Sequence, residues 1–214
     1  MKYFDEIYKL QRELNIIIGK DTVEDPDKLK WSTEYFIALI SEAVELMDCI
    51  NWKGWTTEGK VDQYKRIIDL KNAKIEAIDC LHFVMSLIHV YDIKENMIGI
   101  SQETSNIMSN IIEILWRCND SLISSTRGEK WYFDIDDSIK YTQKLEYDSK
   151  QDIKRNIIIC YRLLMDIFQR LEMSDDDILN IYKMKHEKNI LRQKNNYSVL
   201  TKTEDDNNEI KDNI

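Results

Sequence analysis

Glu42-Ala43-Val44-Glu45 and Glu76-Ala77-Ile78-Asp79 are the residues of this chain best suited to chemistry. Each pair has i,i+3 spacing, so on a helix both carboxylates point to one side. Each is embedded in an apolar helical pattern rather than in a polar surface run. Four carboxylates gathered from two such helices repel one another unless cations sit between them. Hard oxygen ligands of this kind suit Mg²⁺ or Mn²⁺, ions that commonly hold phosphate chains. An acidic pair taken alone is usually a solvated helix face. The conjunction of two, both on sides with buried character, makes Glu42, Glu45, Glu76 and Asp79 a candidate metal site.

Other constellations are weaker. Trp52-Lys53-Gly54-Trp55 follows the first pair at once. Two indoles around a glycine can form a flat pocket for a base, with Lys53 on phosphate; the bland alternative is a hydrophobic cap over a helix end. Lys185, Asn189, Arg192, Gln193 and Tyr197 make a polar, partly basic run. Its cations can neutralise phosphate oxygens and its Asn and Tyr can bond a sugar hydroxyl, or it is an ordinary charged final helix. Gln11 and Asn15 lie one turn apart, and such amides can read a base edge. His82 stands three residues after Asp79, where a satisfied core histidine is the expectation. No P-loop, GxGxxG or GxSxG is present.

The elements that must position these groups read as helices. Only 5 Gly and 1 Pro occur in 214 residues, and charged residues make up 32%. Scarce breakers with abundant Leu, Ile, Lys and Glu predict an all-α helical bundle, not a β-sandwich. Periodicity predicts a first helix over 2–18, a loop over 21–30, and a second helix from the Ser32-Thr33 cap to about Ile50. A third runs from about Val61 to Tyr91 and a fourth covers 94–124, before a loop at 124–128. Residues 134–150 are weakly helical, 152–172 strongly so, and a last helix begins near Ser174 with an acidic first turn. One domain over 1–200 is expected, with a disordered acidic tail over 201–214.

The formal net charge of -9 argues against a nucleic-acid partner. The four cysteines are widely spaced in apolar stretches, which points to reduced, buried thiols rather than disulfides or a zinc site. The polar N-terminus is not a signal peptide, and no apolar run approaches the roughly 18 residues of a membrane span. The expectation is a cytoplasmic protein with no membrane partner.

In their order along the chain these segments resemble the dimeric, all-α dUTPases of the MazG-like nucleoside triphosphate pyrophosphohydrolase superfamily. The resemblance rests on Glu42 to Asp48, Trp52 to Trp55, Glu76 to Phe83, the opening Leu10 to Asn15, and Lys185 to Tyr197. The last segment is similar to the motif K-N-x-x-N-x-x-R-Q-x-x-G-Y. His186 stands where that motif usually has Asn, and Asn196 where it has Gly, a residue whose left-handed backbone Asn tolerates.

The resemblance implies that Glu42, Glu45, Glu76 and Asp79 ligate Mg²⁺ and that dUTP and water give dUMP and pyrophosphate. It implies that Gln11, Asn15 and a Trp of the pair Trp52 and Trp55 hold uracil. Lys53, Lys185, Asn189, Arg192 and Tyr197 would address deoxyribose and phosphates, and the chain would be a homodimer. Glu45 is the carboxylate expected to align or deprotonate the attacking water. Two alternatives stand beside this: a dCTPase or broader nucleotide pyrophosphohydrolase, and a non-enzymatic helical scaffold.

Overall fold

The computed structural model describes residues 1–53, 55, 67–98, 106–130, 138–195 and 208–214, with backbone alone at 97–98, 125–130 and 138–148. Helices carry almost all of them: α1 (Phe4–Ile17), a 3₁₀ turn (Lys28–Trp31), α2 (Ser32–Asp48), α3 (Leu70–Val90), α4 (Glu95–Ile98), α5 (Ile107–Lys130), α6 (Ser138–Arg170), α7 (Asp175–Lys194) and α8 (Asn208–Lys211). Among the described residues the sole β pairing is an isolated antiparallel bridge between Ile50 and Ile67. The expectation of an all-α bundle is met.

Helix α3 is the axle of the bundle. Its apolar residues do not form a stripe but surround it: Ala73, Ile75, Ala77, Ile78, Leu81, Val84, Met85, Leu87 and Ile88 are all buried. A helix apolar all round must be enclosed, and α3 packs against α1, α2, α6, α7 and α8. Helices α5 and α6 pair with each other and lean on α2 and α3 respectively. The carboxylates of α3 therefore sit on the innermost helix.

Several boundaries differ from the sequence expectation, each for a local reason. Helix α3 starts at Leu70, not near Val61, because Asp69 caps it: its Oδ1 accepts from the Asn72 N–H at 2.9 Å. Residues 61–66 lie outside the described residues. Helix α2 begins without a side-chain cap; the Ser32 hydroxyl instead donates to the Leu29 carbonyl of the preceding 3₁₀ turn, at 2.6 Å. The loop expected at 124–128 is helical backbone within α5, and residues 138–150 run on without a break into 152–170 as the single helix α6. Ser174 caps α7 in a reciprocal box with Asp177, as the acidic first turn suggested.

Glycine scarcity shows at helix ends. Gly19 closes α1 at φ 78°, with Lys20 N–H donating to the Asn15 carbonyl at 2.8 Å. Asp92 and Glu172 adopt the same left-handed angle after α3 and α6 without being glycine.

The expected tail is ordered in part. Residues 201–207 lie outside the described residues, but Asn208–Lys211 forms a helical turn with Ile210 buried. The expectation of disorder does not hold for that turn, because Ile210 reaches apolar cover.

Candidate active site between three helices

Helices α2 and α3 bring Glu42, Glu45 and Glu76 together. One carboxylate oxygen from each lies within 4.8 Å of the others. Glu76 is 3% exposed, Glu42 is half-buried and Glu45 is exposed, so the cluster is closed at its base and open at Glu45. The Glu76 carboxyl is pushed up to about 7 from an ordinary 4.5, by burial first and then by the charges of Asp79 and Glu45. Lys185 and a hydrogen bond with Glu42 pull the other way. The cluster is thus short of positive charge, and burial with neighbouring carboxylates favours the protonated form of Glu76.

Asp79, one turn after Glu76, is engaged by α7. The Lys185 ammonium lies 2.6 Å from its Oδ2, and both side chains are almost wholly buried. This ion pair joins the fourth expected metal ligand to a residue expected to meet phosphate.

One turn further along α3, a buried polar network begins. The His82 ring stacks on Tyr182 of α7 at 4.0 Å between centroids. Gln11 of α1 touches both: its Oε1 accepts from His82 Nδ1 at 2.7 Å and from the Tyr182 hydroxyl at 2.5 Å. Its Nε2 donates to Asn15 Oδ1 at 2.9 Å and to the Ser86 hydroxyl at 3.0 Å. Asn15 Nδ2 donates to Thr22 Oγ1 at 3.0 Å and to Ser86 at 3.2 Å. Since Gln11 Oε1 can only accept, His82 carries its proton on Nδ1. Burial drives its basicity well below the ordinary range, so the ring is neutral. Its Nε2 is buried and finds no partner among the described residues.

The expected base-reading amides are therefore placed beside the acidic cluster, but they are engaged. Both donors and both acceptor positions of Gln11 are taken. Asn15 is similarly committed. In this arrangement the two amides lock α1 onto α3 and α7, and reading a base requires exchange of at least one of these bonds.

The remaining expected residues are less gathered. Trp52 follows α2, is half-buried, and donates from Nε1 to Asp48 Oδ1 at 3.1 Å. Trp55 meets it edge-on at 5.5 Å and is 72% exposed, and the Lys53 ammonium lies 5.3 Å from the Trp52 ring. Asn189 and Arg192 continue the Lys185 side of α7 by one and two turns, with Arg192 Nη1 donating to Asn189 Oδ1 at 3.1 Å. Tyr197 lies outside the described residues. Sequence reasoning passed over Tyr182 and Ser86 and left His82 to the core. The available signal was register: His82 and Ser86 extend the Asp79 side of α3, and Tyr182 stands three residues before Lys185.

The oxygen-only donor set and the charge deficit at buried Glu76 fit a hard divalent cation. No helix among the described residues is long and apolar enough to cross a membrane. A family model described as dUTPase matches residues 3–197. Comparison with curated proteins found no match.

Proposed function

The chain belongs to the all-α dUTPase family, a family of nucleotide pyrophosphatases, and from that premise we propose that it is a Mg²⁺-dependent dUTP pyrophosphatase yielding dUMP and pyrophosphate. The observation that carries this reading is the acidic cluster: three carboxylates within 4.8 Å, adjoining a fourth that is already paired with a buried lysine. Membership of an enzyme family sets aside the non-enzymatic scaffold.

Glu42, Glu45 and Glu76 would hold the metal, joined by Asp79 once Lys185 turns to phosphate. Bound Mg²⁺ (or Mn²⁺) supplies neutralisation of triphosphate charge and a bound water of lowered pKa. Glu45, exposed at the mouth of the cluster, would align the attacking water and accept its proton as the water oxygen bonds to phosphorus. The bridging P–O bond breaks and pyrophosphate departs. Lys185 stabilises the charge that develops on the phosphate oxygens. By the family resemblance, Asn189, Arg192, Tyr197 and Lys53 would address deoxyribose and phosphates, and Gln11 and Asn15 with Trp52 or Trp55 would hold the base.

The test is pyrophosphate release from a panel of nucleoside triphosphates with Mg²⁺. Turnover of dUTP at least tenfold above dCTP and dTTP is expected, and no release from any of them ends the reading. A second reading, a dCTPase or broader pyrophosphohydrolase, draws support from the saturated amides of Gln11 and Asn15, which leave base choice to partners they must first release. Equal rates across the panel would favour it.

A homodimer goes with this reading. Helix α5 exposes Ile112, Trp116 and Ile123 on one face, an apolar ridge that a second copy would cover. Light scattering at micromolar concentration reads the mass directly.

A further inference from the structure

We infer that the C-terminal turn, beyond the family-matching residues 3–197, is a positioning strap that holds the start of α3 against α7. The inference rests on the proposed metal site, whose Glu76 and Asp79–Lys185 pair stand on these two helices.

Helix α8 touches α3 and α7. Ile210 is 3% exposed and belongs to the common hydrophobic core, while Ile214 packs against that core from its edge. Polar contacts set the register of the apolar plug. Lys211 Nζ lies 3.1 Å from Asp69 Oδ2, and Lys71 Nζ donates to the Lys211 carbonyl at 2.6 Å. On the other side Lys188 of α7 approaches Glu209 at 3.8 Å.

Asp69 is where this acts. Its Oδ1 caps α3 through the Asn72 N–H, and its Oδ2 takes Lys211, so one carboxylate serves both cap and strap. The Asn72 amide in turn donates to Cys49 Sγ, just after α2, at 3.3 Å. Lys71 would otherwise place a cation in the first turn of α3, against the helix dipole, and the Lys211 carbonyl offers it an acceptor. Glu76 follows Asp69 by two turns on one side of α3. Lys188 follows Lys185 by one turn on α7. The strap thus ties together the helices on which Glu76 and Lys185 stand.

Full-length Ile210→Asp and Ile210→Leu, with Lys211→Glu as a milder lesion, test this. Amide hydrogen exchange across residues 70–76 is measured first, then Mg²⁺ alone is titrated by calorimetry. Ile210→Asp is expected to speed exchange there by about tenfold at unchanged helix content, and to weaken Mg²⁺ binding by about tenfold. Ile210→Leu is expected to restore both, and Lys211→Glu to fall between. Unchanged exchange in Ile210→Asp overturns the strap. Faster exchange with unaltered Mg²⁺ affinity overturns its positioning role. If the parent protein binds no Mg²⁺, the proposed metal site falls by itself and the strap is decided by the exchange rates.

Discussion

Lys185 and Asp79 form a nearly buried ion pair, 2.6 Å apart, between α7 and the central helix α3. A pair of this kind is poor evidence of stability, since desolvation offsets much of its attraction. Its meaning is that Asp79 is charge-balanced by the protein itself, and that Lys185 is held beside the acidic residues of α3. Removing one partner exposes the cost. Lys185→Met is expected to destabilise the metal-free protein by about 3–5 kcal/mol, because it strands a carboxylate in the interior. Adding Asp79→Asn should recover at least half. Urea unfolding of the two single variants and the double variant gives the coupling, and full additivity would contradict the pairing.

Glu45 is the exposed member of the acidic cluster, so its role separates from folding. Glu45→Gln should lower turnover of dUTP by about 10²–10⁴-fold. Its unfolding free energy should stay within about 0.5 kcal/mol of the parent, as for other surface changes. A variant with near-normal kcat would remove Glu45 as the group that handles the water.

Gln11 sits at the junction of α1, α3 and α7. Gln11→Leu keeps the bulk but leaves the His82 N–H and the Tyr182 hydroxyl buried without their acceptor. Each such orphan costs about 1–3 kcal/mol, so a loss of about 2–5 kcal/mol is expected by urea unfolding. Adding Tyr182→Phe to Gln11→Leu removes one of the two orphans and should recover part of the loss. If the single and double variants were equally stable, the hydrogen bond to Tyr182 would not be holding the helices.

Much of this architecture could be read in advance. The i,i+3 carboxylate pairs on apolar helices survive as a three-carboxylate cluster, because helical period alone puts each pair on one side. Period says nothing about which distant cation arrives, so the Lys185 partner of Asp79 was legible only as a phosphate ligand through family resemblance. The start of α3 was misplaced because the run before Leu70 is compatible with a helix, while the deciding event is the Asp69 cap. Gln11 and Asn15 looked like free base readers because a sequence shows donors and acceptors but not their occupancy. The tail looked disordered by composition, yet Asn208–Lys211 docks as a turn, with Ile210 buried and Lys211 paired with Asp69.

The carboxyl of Glu76 gives the site a pH signature. Its folded value, about 7, lies above the ordinary 4.5, so between these values the folded state binds more protons than the unfolded one. The associated stability is fully present below pH 4.5 and is lost as pH rises through 7. The loss amounts to about 3 kcal/mol at most, from the size of the shift. His89 acts in the opposite sense: burial lowers it to about 4, so its contribution is present above pH 6.5 and is lost as pH falls through 4. The two overlap, and a bare stability curve would mix them. Glu76→Gln isolates the carboxyl, because the amide mimics the protonated acid at every pH. Without metal, the variant should match the parent at pH 4 and exceed it by up to about 3 kcal/mol at pH 8. Urea midpoints at the two pH values decide it, and an offset independent of pH would show that Glu76 does not carry the proton. In the parent, saturating Mg²⁺ at pH 8 should recover stability by mass action, and the variant should recover less, having lost a ligand.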